Sequence, residues 1–341
     1  MPFTERDELF LRRAWVLARR ASQVLLATNP SVGAVIAAGD RILAEGWHQR
    51  YGGPHAEIHA LQQVPTDSSL TEATLYVTLE PCCHYGKTPP CTSAIIASGL
   101  RRVVIGTLDP NPLVAGQGVA RLREAGVEVI LAPNPRPYQR LIRHFAVSIR
   151  EKRPYITLKW ACLHIKGHPP ILGSRSLPQY PISTFWGRVW GHRLRSRHSH
   201  IAIGYATWRL DQPRLTTRLF PGPSPQPVVF YDPRRGIPVP QPPFPLLPLY
   251  PLAETLSRLY QELQVGRLLV EGGAQTLQAF LSSGLYDELH ILSRRTDSPS
   301  LPENPVWAPL PPSDLPSKRY RLGPHEEARL YRRPLYPYLT S

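Results

Sequence analysis

The sequence contains no apolar run approaching the roughly 20 residues that cross a bilayer as a helix. Its first residues, MPFTERDELF, are charged and lack the apolar centre of a secretion signal. Both absences lead to the expectation of a cytoplasmic protein without membrane association. Cysteine is scarce: there are four in 341 residues, and three of them are bunched at Cys82, Cys83 and Cys91. So few, so unevenly spread, do not make a disulfide framework, and in a reducing compartment such a cluster signals metal binding or catalysis. Acidic side chains are also short, 25 against 40 basic ones, for a formal charge of +15. A basic surface attracts phosphates of any origin. The arginines are scattered, however, and no aromatic-interleaved RNA-binding signature accompanies them. Small phosphorylated ligands, rather than nucleic acid, are therefore the expected partners.

The chain is too long for one ordinary core and about right for two domains, and its 42% hydrophobic content suits a globular protein. Forty prolines concentrate in the second half and are read as ordered but irregular loops. In the first half Thr4 is placed to cap a helix with apolar positions Phe10, Ala14, Leu17, Ala18, Ala21 and Leu25. Val32 to Ala38 and Arg41 to Glu45 read as a hairpin around Gly39-Asp40. Helices are expected over His55 to Val64, Cys91 to Ser98, Gln117 to Glu124 and, as one closing helix, Pro137 to Ile149. Strands are expected over Thr74 to Leu79, Arg102 to Gly106 and Val127 to Leu131. This alternation implies a mainly parallel sheet covered on both faces. A boundary near Arg150 to Pro154 divides the chain into residues 1–150 and 154–341. Beyond it, strands at Tyr155 to Lys159, His200 to Tyr205, Pro227 to Tyr231, Arg267 to Val270 and Glu288 to Leu292, with helices at Leu252 to Leu263 and Ala274 to Leu281, form a second α/β domain.

The strongest chemical signal is His55-Ala56-Glu57, followed by Pro81-Cys82 and, nine positions later, Cys91. One imidazole and two thiolates leave the fourth tetrahedral position of a zinc open, which is the mark of a catalytic rather than a structural site. Zinc lowers the pKa of its water to about 7, and Glu57 is placed to move that proton to a leaving amine, the arrangement of zinc deaminases. Cys83 is left unassigned, because adjacent side chains on a turn rarely ligate one ion together. Two other classes compete: a nucleic-acid base deaminase, favoured by charge but usually carrying a C-x-x-C pair, and a non-catalytic zinc-stapled interaction protein, which would not need Glu57.

Asn29-Pro30-Ser31-Val32-Gly33, Gly46-Trp47-His48, His55-Ala56-Glu57, the run from Glu80 to Cys91 (EPCCHYGKTPPC) and Asp109-Pro110-Asn111-Pro112 together resemble the deaminase domain of the bifunctional riboflavin-biosynthesis deaminase/reductase family. The resemblance implies a cytidine-deaminase-like three-layer fold in which His55, Cys82 and Cys91 hold zinc and Glu57 shuttles protons. It also implies that His48, Lys87, Asp109 and Asn111 contact 2,5-diamino-6-ribosylamino-pyrimidinone 5'-phosphate. Residues 154 to 295 resemble the family's reductase domain, of dihydrofolate-reductase-like α/β fold, through Tyr155 to Ala161, Ile182-Ser183, Leu194-Arg195, Ile203-Gly204, Thr207, Asp211 to Arg218, Val270 to Gly273 and Gly284 to Glu288. By that resemblance Lys159, Arg195, Leu215, Arg218 and Glu271 line the substrate site, Ala161, Thr207, Asp211 and Gly273 touch NADPH, and the protein is a homodimer. Three departures stand out. Ile165-Lys166 replaces an Asp-Gly, so that Gly167 fits only after a one-residue slip; Gln179-Tyr180-Pro181 replaces a Ser-x-Trp stretch; and the family's closing strand is missing after Leu292. These imply weakened use of NADPH, with a domain kept for dimerisation or substrate capture as the alternative.

Overall fold

The computed structural model describes residues 2–21, 23–85, 89–112, 114–174, 182–236, 240–296 and 305–334. The chain falls into two units, one ending at Lys152 and one running from Arg153 to Pro334.

The first unit begins with a capping box. Thr4 accepts from the Asp7 N–H, and the Asp7 carboxylate takes the Thr4 N–H, which starts α1 (Glu5–Ala18). α1 ends at Ala18, where the hydrogen bonds tighten to the three-residue type (Arg20 to Leu17), so the expected extension to Leu25 fails and Leu25 lies 56% exposed. A short α2 (Gln23–Leu26) follows. Strand β1 (Gly33–Ala38) then alternates with period two. Val35 and Ala37 pack on Phe10, Leu11, Ala14 and Leu17 of α1, whereas Ala34 and Ile36 face the opposite core. A Cβ on Gly33 would lie 2.1 Å from the Ala14 carbonyl oxygen, so glycine is what lets α1 settle on the sheet.

β1 turns through Gly39, in the left-handed region, into β2 (Arg41–Trp47). The sheet order is β2-β1-β3-β4-β5, with β3 (Ala73–Val77), β4 (Arg102–Ile105) and β5 (Glu128–Leu131). Both pairings of β1 are antiparallel, and only β3-β4 and β4-β5 are parallel. The sheet is therefore half parallel by pairing, not mainly so, because β1 alone runs against the other four strands. α3 (Ala56–Leu61), α4 (Cys91–Ala97) and α5 (Gln117–Glu124) contribute Ala56, Ala60, Ile95, Val119 and Leu122 to the second core face, which gives three layers. The expected single closing helix is two, α6 (Arg136–Leu141) and α7 (Arg143–Glu151). They break at Ile142, whose N–H reaches the Tyr138 carbonyl at a stretched 3.4 Å.

The second unit holds a ten-stranded sheet among the described residues. Its main path runs β10 (Leu246–Pro248), β9 (Gln226–Tyr231), β8 (His200–Gly204), β11 (Arg267–Glu271), β6 (Tyr155–Ile165), β12 (Glu288–Thr296), β15 (Glu326–Arg332) and β14 (Ser317–Arg321). It is parallel from β10 to β12 and antiparallel from there on. β7 (Ile171–Ser174) and β13 (Pro305–Trp307) pair beside β6. One face packs on α10 (Leu252–Gln261) and α11 (Ala274–Ser283) through Leu256, Leu277 and Phe280. The other packs on α8 (Phe185–Arg195) and α9 (Tyr205–Asp211) through Leu194 and Trp208.

Two of the departures can be placed in the fold. β12 runs on past Leu292 to Thr296 and β15 pairs along it, so that edge of the sheet is closed by strands of other sequence. Ile165 ends β6 and Lys166-Gly167 turn the chain toward β7, Gly167 taking the positive φ of +82° that the turn requires. Gln179, Tyr180 and Pro181 lie outside the described residues.

Candidate functional site

In the first unit His55 is the N-cap of α3, which puts Glu57 in the first helical turn. Cys91 opens α4, and Cys82 sits on the segment leaving β3. His55 Nδ1 lies 3.3 Å from Cys91 Sγ and 3.6 Å from Cys82 Sγ, and the three ligand atoms fall within 4.8 Å of one another. Zinc bonds of about 2.3 Å to sulfur and about 2.0 Å to nitrogen span about 3.6 Å along a tetrahedral N–S edge, so the trio fits that ion. The Cys91 thiol, His55 and the Cys91 N–H draw Cys82 toward thiolate against the cost of burial. Glu57 is 4% exposed, and burial lifts its carboxyl to about 7 despite His55. Cys83 stays outside the cluster: its carbonyl takes Arg121 at 3.0 Å.

His48 is buried with its ring 5.4 Å from that of His55. Its Nδ1 donates to the Pro54 carbonyl (2.9 Å) and its Nε2 accepts from the Asn29 amide (2.9 Å), and burial lowers its pKa, so the ring is neutral. Asp109 and Asn111 share one loop, the Asn111 N–H donating to Asp109 at 2.8 Å, and burial raises the Asp109 carboxyl. Lys87 and Thr88 lie outside the described residues. Sequence reasoning missed the group that holds this loop. Buried Glu80 accepts from the backbone N–H of Asp109 (3.0 Å), Gly116 (3.0 Å), Gly118 (2.9 Å) and Val119 (3.2 Å). Its only sequence signal is its place two residues before Cys82.

In the second unit the expected substrate residues gather where the carboxyl end of β11 at Glu271 lies beside Lys159 in the middle of β6. Glu271 takes two bonds from Arg195 (Nε 3.1 Å, Nη2 2.8 Å) and has Lys159 Nζ at 3.8 Å. Burial would raise its carboxyl, and the two cations instead hold it at about 2. The loop from Gln212 to Arg218 is tied to this group. Arg195 Nη1 donates to the Thr216 carbonyl (3.0 Å), exposed Arg218 donates to Thr216 Oγ1 (3.3 Å), and Leu215 is buried at φ +50°, an uncommon conformation for a branched side chain. Ala161 follows Lys159 on the same face of β6. Gly272 and Gly273 both have positive φ at the start of α11, and a Cβ on Gly273 would meet Thr207 Oγ1 at 3.0 Å. That glycine pair opens backbone N–H groups at a helix N-terminus, a cradle suited to a dinucleotide phosphate. Asp211 ends α9, largely exposed, and partial desolvation raises its carboxyl pKa. His192, not singled out from sequence, is buried one helical turn before Arg195, and burial, then Arg195 and Arg218, lower its pKa to about 4.

Among the described residues no helix is long and apolar enough to cross a membrane. Residues 4–107 match the family model of the cytidine and deoxycytidylate deaminase zinc-binding region, and residues 247–294 match that of the RibD C-terminal domain. The chain is 36% identical over 316 residues to the riboflavin biosynthesis protein RibD of Aquifex aeolicus, covering 84% of this chain and 86% of that one. To the RibD of Escherichia coli it is 40% identical over 212 residues, 62% of this chain and 56% of the relative. The crystal structure of a diaminohydroxyphosphoribosylaminopyrimidine deaminase/5-amino-6-(5-phosphoribosylamino)uracil reductase from Thermotoga maritima superposes with a TM-score of 0.79 at 31% identity, over 96% of this chain and 98% of that one.

Proposed function

The chain belongs to the RibD family of riboflavin biosynthesis proteins, and on that premise we propose a division of labour between its units. Residues 1–150 deaminate 2,5-diamino-6-ribosylamino-pyrimidinone 5'-phosphate, and residues 154–341 reduce the ribosyl side chain of the product to ribityl with NADPH. The observation that carries this reading is the convergence of His55 Nδ1, Cys82 Sγ and Cys91 Sγ beside the buried Glu57. When bound, zinc supplies hydroxide near neutral pH.

The chain's own residues do the rest. Glu57, fixed in the first turn of α3, takes a proton from the attacking water and returns it to the departing amine, so that water is consumed and ammonia released. His48 and the loop carrying Asp109 and Asn111 orient the pyrimidine, and Lys87 takes its phosphate. In the second unit Arg218 and Arg195 grip the phosphate, Glu271 keeps Arg195 and Lys159 in register, and the Leu215 backbone shapes the wall. NADPH supplies the hydride for reduction of the ribosyl C1'. Ala161, Thr207, Asp211 and the Gly273 turn place the cofactor, whose fit is supported by the open glycine pair. A homodimer in the cytoplasm belongs to the same reading. The nine-position cysteine spacing favours this substrate over a nucleic-acid base, and the reductase-domain match and the Glu271 cluster favour a working second unit over a vestigial one.

Elemental analysis tests the metal site. Wild type is expected to hold one zinc per chain, and a Cys82→Ser, Cys91→Ser double variant to hold none. Full zinc in that variant would remove the ligand set.

A further inference from the structure

One buried polar group beside the second site has no part in the contacts above. His192 is 5% exposed, and its Nδ1 is buried without a hydrogen-bond partner among the described residues. Buried polar atoms in native proteins are paired almost without exception, so an orphan beside a ligand site marks a place for a ligand atom. His192 and Arg195 stand three residues apart on α8 and so share a helix face. The charges of Arg195 on its own helix, Arg218 from the loop after α9 and Glu271 from β11, and the Thr216 backbone, act on the ring. On β6, Lys159 comes within 3.7 Å of where a Cβ on Gly191 would stand, so the residue before His192 leaves the lysine head uncovered.

The donor and acceptor arithmetic then fixes what Nδ1 offers. With Nδ1 unpartnered among the described residues, the influence of the Thr216 backbone on the ring falls to Nε2, and a carbonyl only accepts. A neutral ring with its proton on Nε2 presents a lone pair at Nδ1. The ligand atom it lacks is therefore a hydrogen-bond donor. Arg195 and Arg218 are pure donors that suit a phosphate, and the carbon chain next to the phosphate of a ribosyl phosphate carries hydroxyl groups.

We propose that His192 is a specificity-determining residue of the reductase site, its Nδ1 accepting a hydrogen bond from a sugar hydroxyl of the ribosyl chain whose phosphate lies on Arg195 and Arg218. The inference rests on the reading of Arg195 and Arg218 as the phosphate site. A site that pairs a substrate hydroxyl discriminates against the analogue lacking it, because its own buried acceptor is then left unpaired.

The test is calorimetric titration of the full chain with ribose 5-phosphate, 2-deoxyribose 5-phosphate and 3-deoxyribose 5-phosphate. Wild type is expected to bind ribose 5-phosphate about tenfold more tightly than one of the two deoxy sugars. His192→Leu should bind all three alike. His192→Asn, which sets an amide oxygen near the position of Nδ1, should restore the preference and shows that the site survives substitution. Arg218→Ala should weaken all three equally. If wild type does not discriminate, or if His192→Leu still does while Arg218→Ala weakens every sugar, the assignment of His192 is wrong and the phosphate site stands. If Arg218→Ala changes nothing, the phosphate site is misplaced and the assignment of His192 falls with it.

Discussion

At the scale of the residue, chemistry leaves the clearest trace in sequence where it demands particular atoms. Zinc needs soft or imidazole donors, and a proton shuttle needs a carboxylate within reach, so His55, Glu57, Cys82 and Cys91 were legible as a set, and the structure brings the three donor atoms together. Glu57→Gln is expected to retain zinc and lose ammonia release by a factor on the order of 10² to 10⁴. Parallel metal analysis and an ammonia assay on the variant check both halves, and near-normal turnover would remove Glu57 from the reaction. Glu80 and His192 were not legible in the same way. Their roles exist only through neighbours far along the chain, the Asp109 to Val119 backbone for one and Thr216, Arg218 and Glu271 for the other.

At the scale of the element, what could be read followed from periodicity. β1 alternates small and branched apolar residues between two cores, and the hairpin at Gly39-Asp40 appears where expected. α8 escaped because its buried face includes Gly187, Gly191 and His192, while Phe185 and Trp186 are exposed, so its hydrophobic pattern is blurred. β14 and β15, SKRYR and EEARLYR, are largely polar and gave no strand signal.

Two element contacts carry testable consequences. A Cβ on Gly46 would lie 2.4 Å from both the Ala56 carbonyl oxygen and the Ala60 nitrogen. Gly46→Ala should therefore push α3, with His55 and Glu57, away from β2, at a cost of about 1–3 kcal/mol or more in unfolding free energy. Denaturant unfolding together with zinc retention measures it, and an unshifted midpoint would contradict the packing described.

Asp7 joins α1 to β4 through paired bonds to Arg102 at 2.7 and 2.9 Å. Burial would raise its carboxyl, but Arg102 and Thr4 hold it at about 2, below its ordinary value of 3.8. A depressed carboxyl stabilises the fold above the unfolded value, and that contribution is lost as pH falls from about 4 to about 2. Urea midpoints across that window should fall more steeply for wild type than for Asp7→Asn. Equal slopes would show that the pair does not set the acid stability of this unit.

At the scale of the whole molecule, the charge of +15 is the feature most open to misreading. If the basic surface serves small phosphorylated ligands, transfer RNA should bind weakly, and the binding should fade as salt rises through physiological strength. A filter-binding titration that found tight, salt-resistant, sequence-dependent RNA binding would favour a base deaminase. Composition set the expectation of two domains, and the fold shows two units, each with its own sheet and core. The weakness in NADPH use that the sequence implied rested partly on an absent closing strand and on Ile165-Lys166. The structure closes that edge with β15 and turns the chain at Gly167, while Ile165-Lys166 still stand where the Asp-Gly is expected.

The central claim is that one chain carries two successive reactions on one phosphorylated substrate. The most direct measurement is to incubate the purified full chain with the diaminopyrimidine ribotide, with and without NADPH, and follow the pyrimidine by mass spectrometry. Without NADPH the expected product has exchanged one amino group for oxygen and released ammonia. With NADPH it should in addition carry two more hydrogen atoms, matched by equimolar NADPH oxidation. Deamination with no hydrogen gain and no NADPH consumption would leave a deaminase with an idle second unit, and absence of ammonia in both reactions would contradict the account at its root.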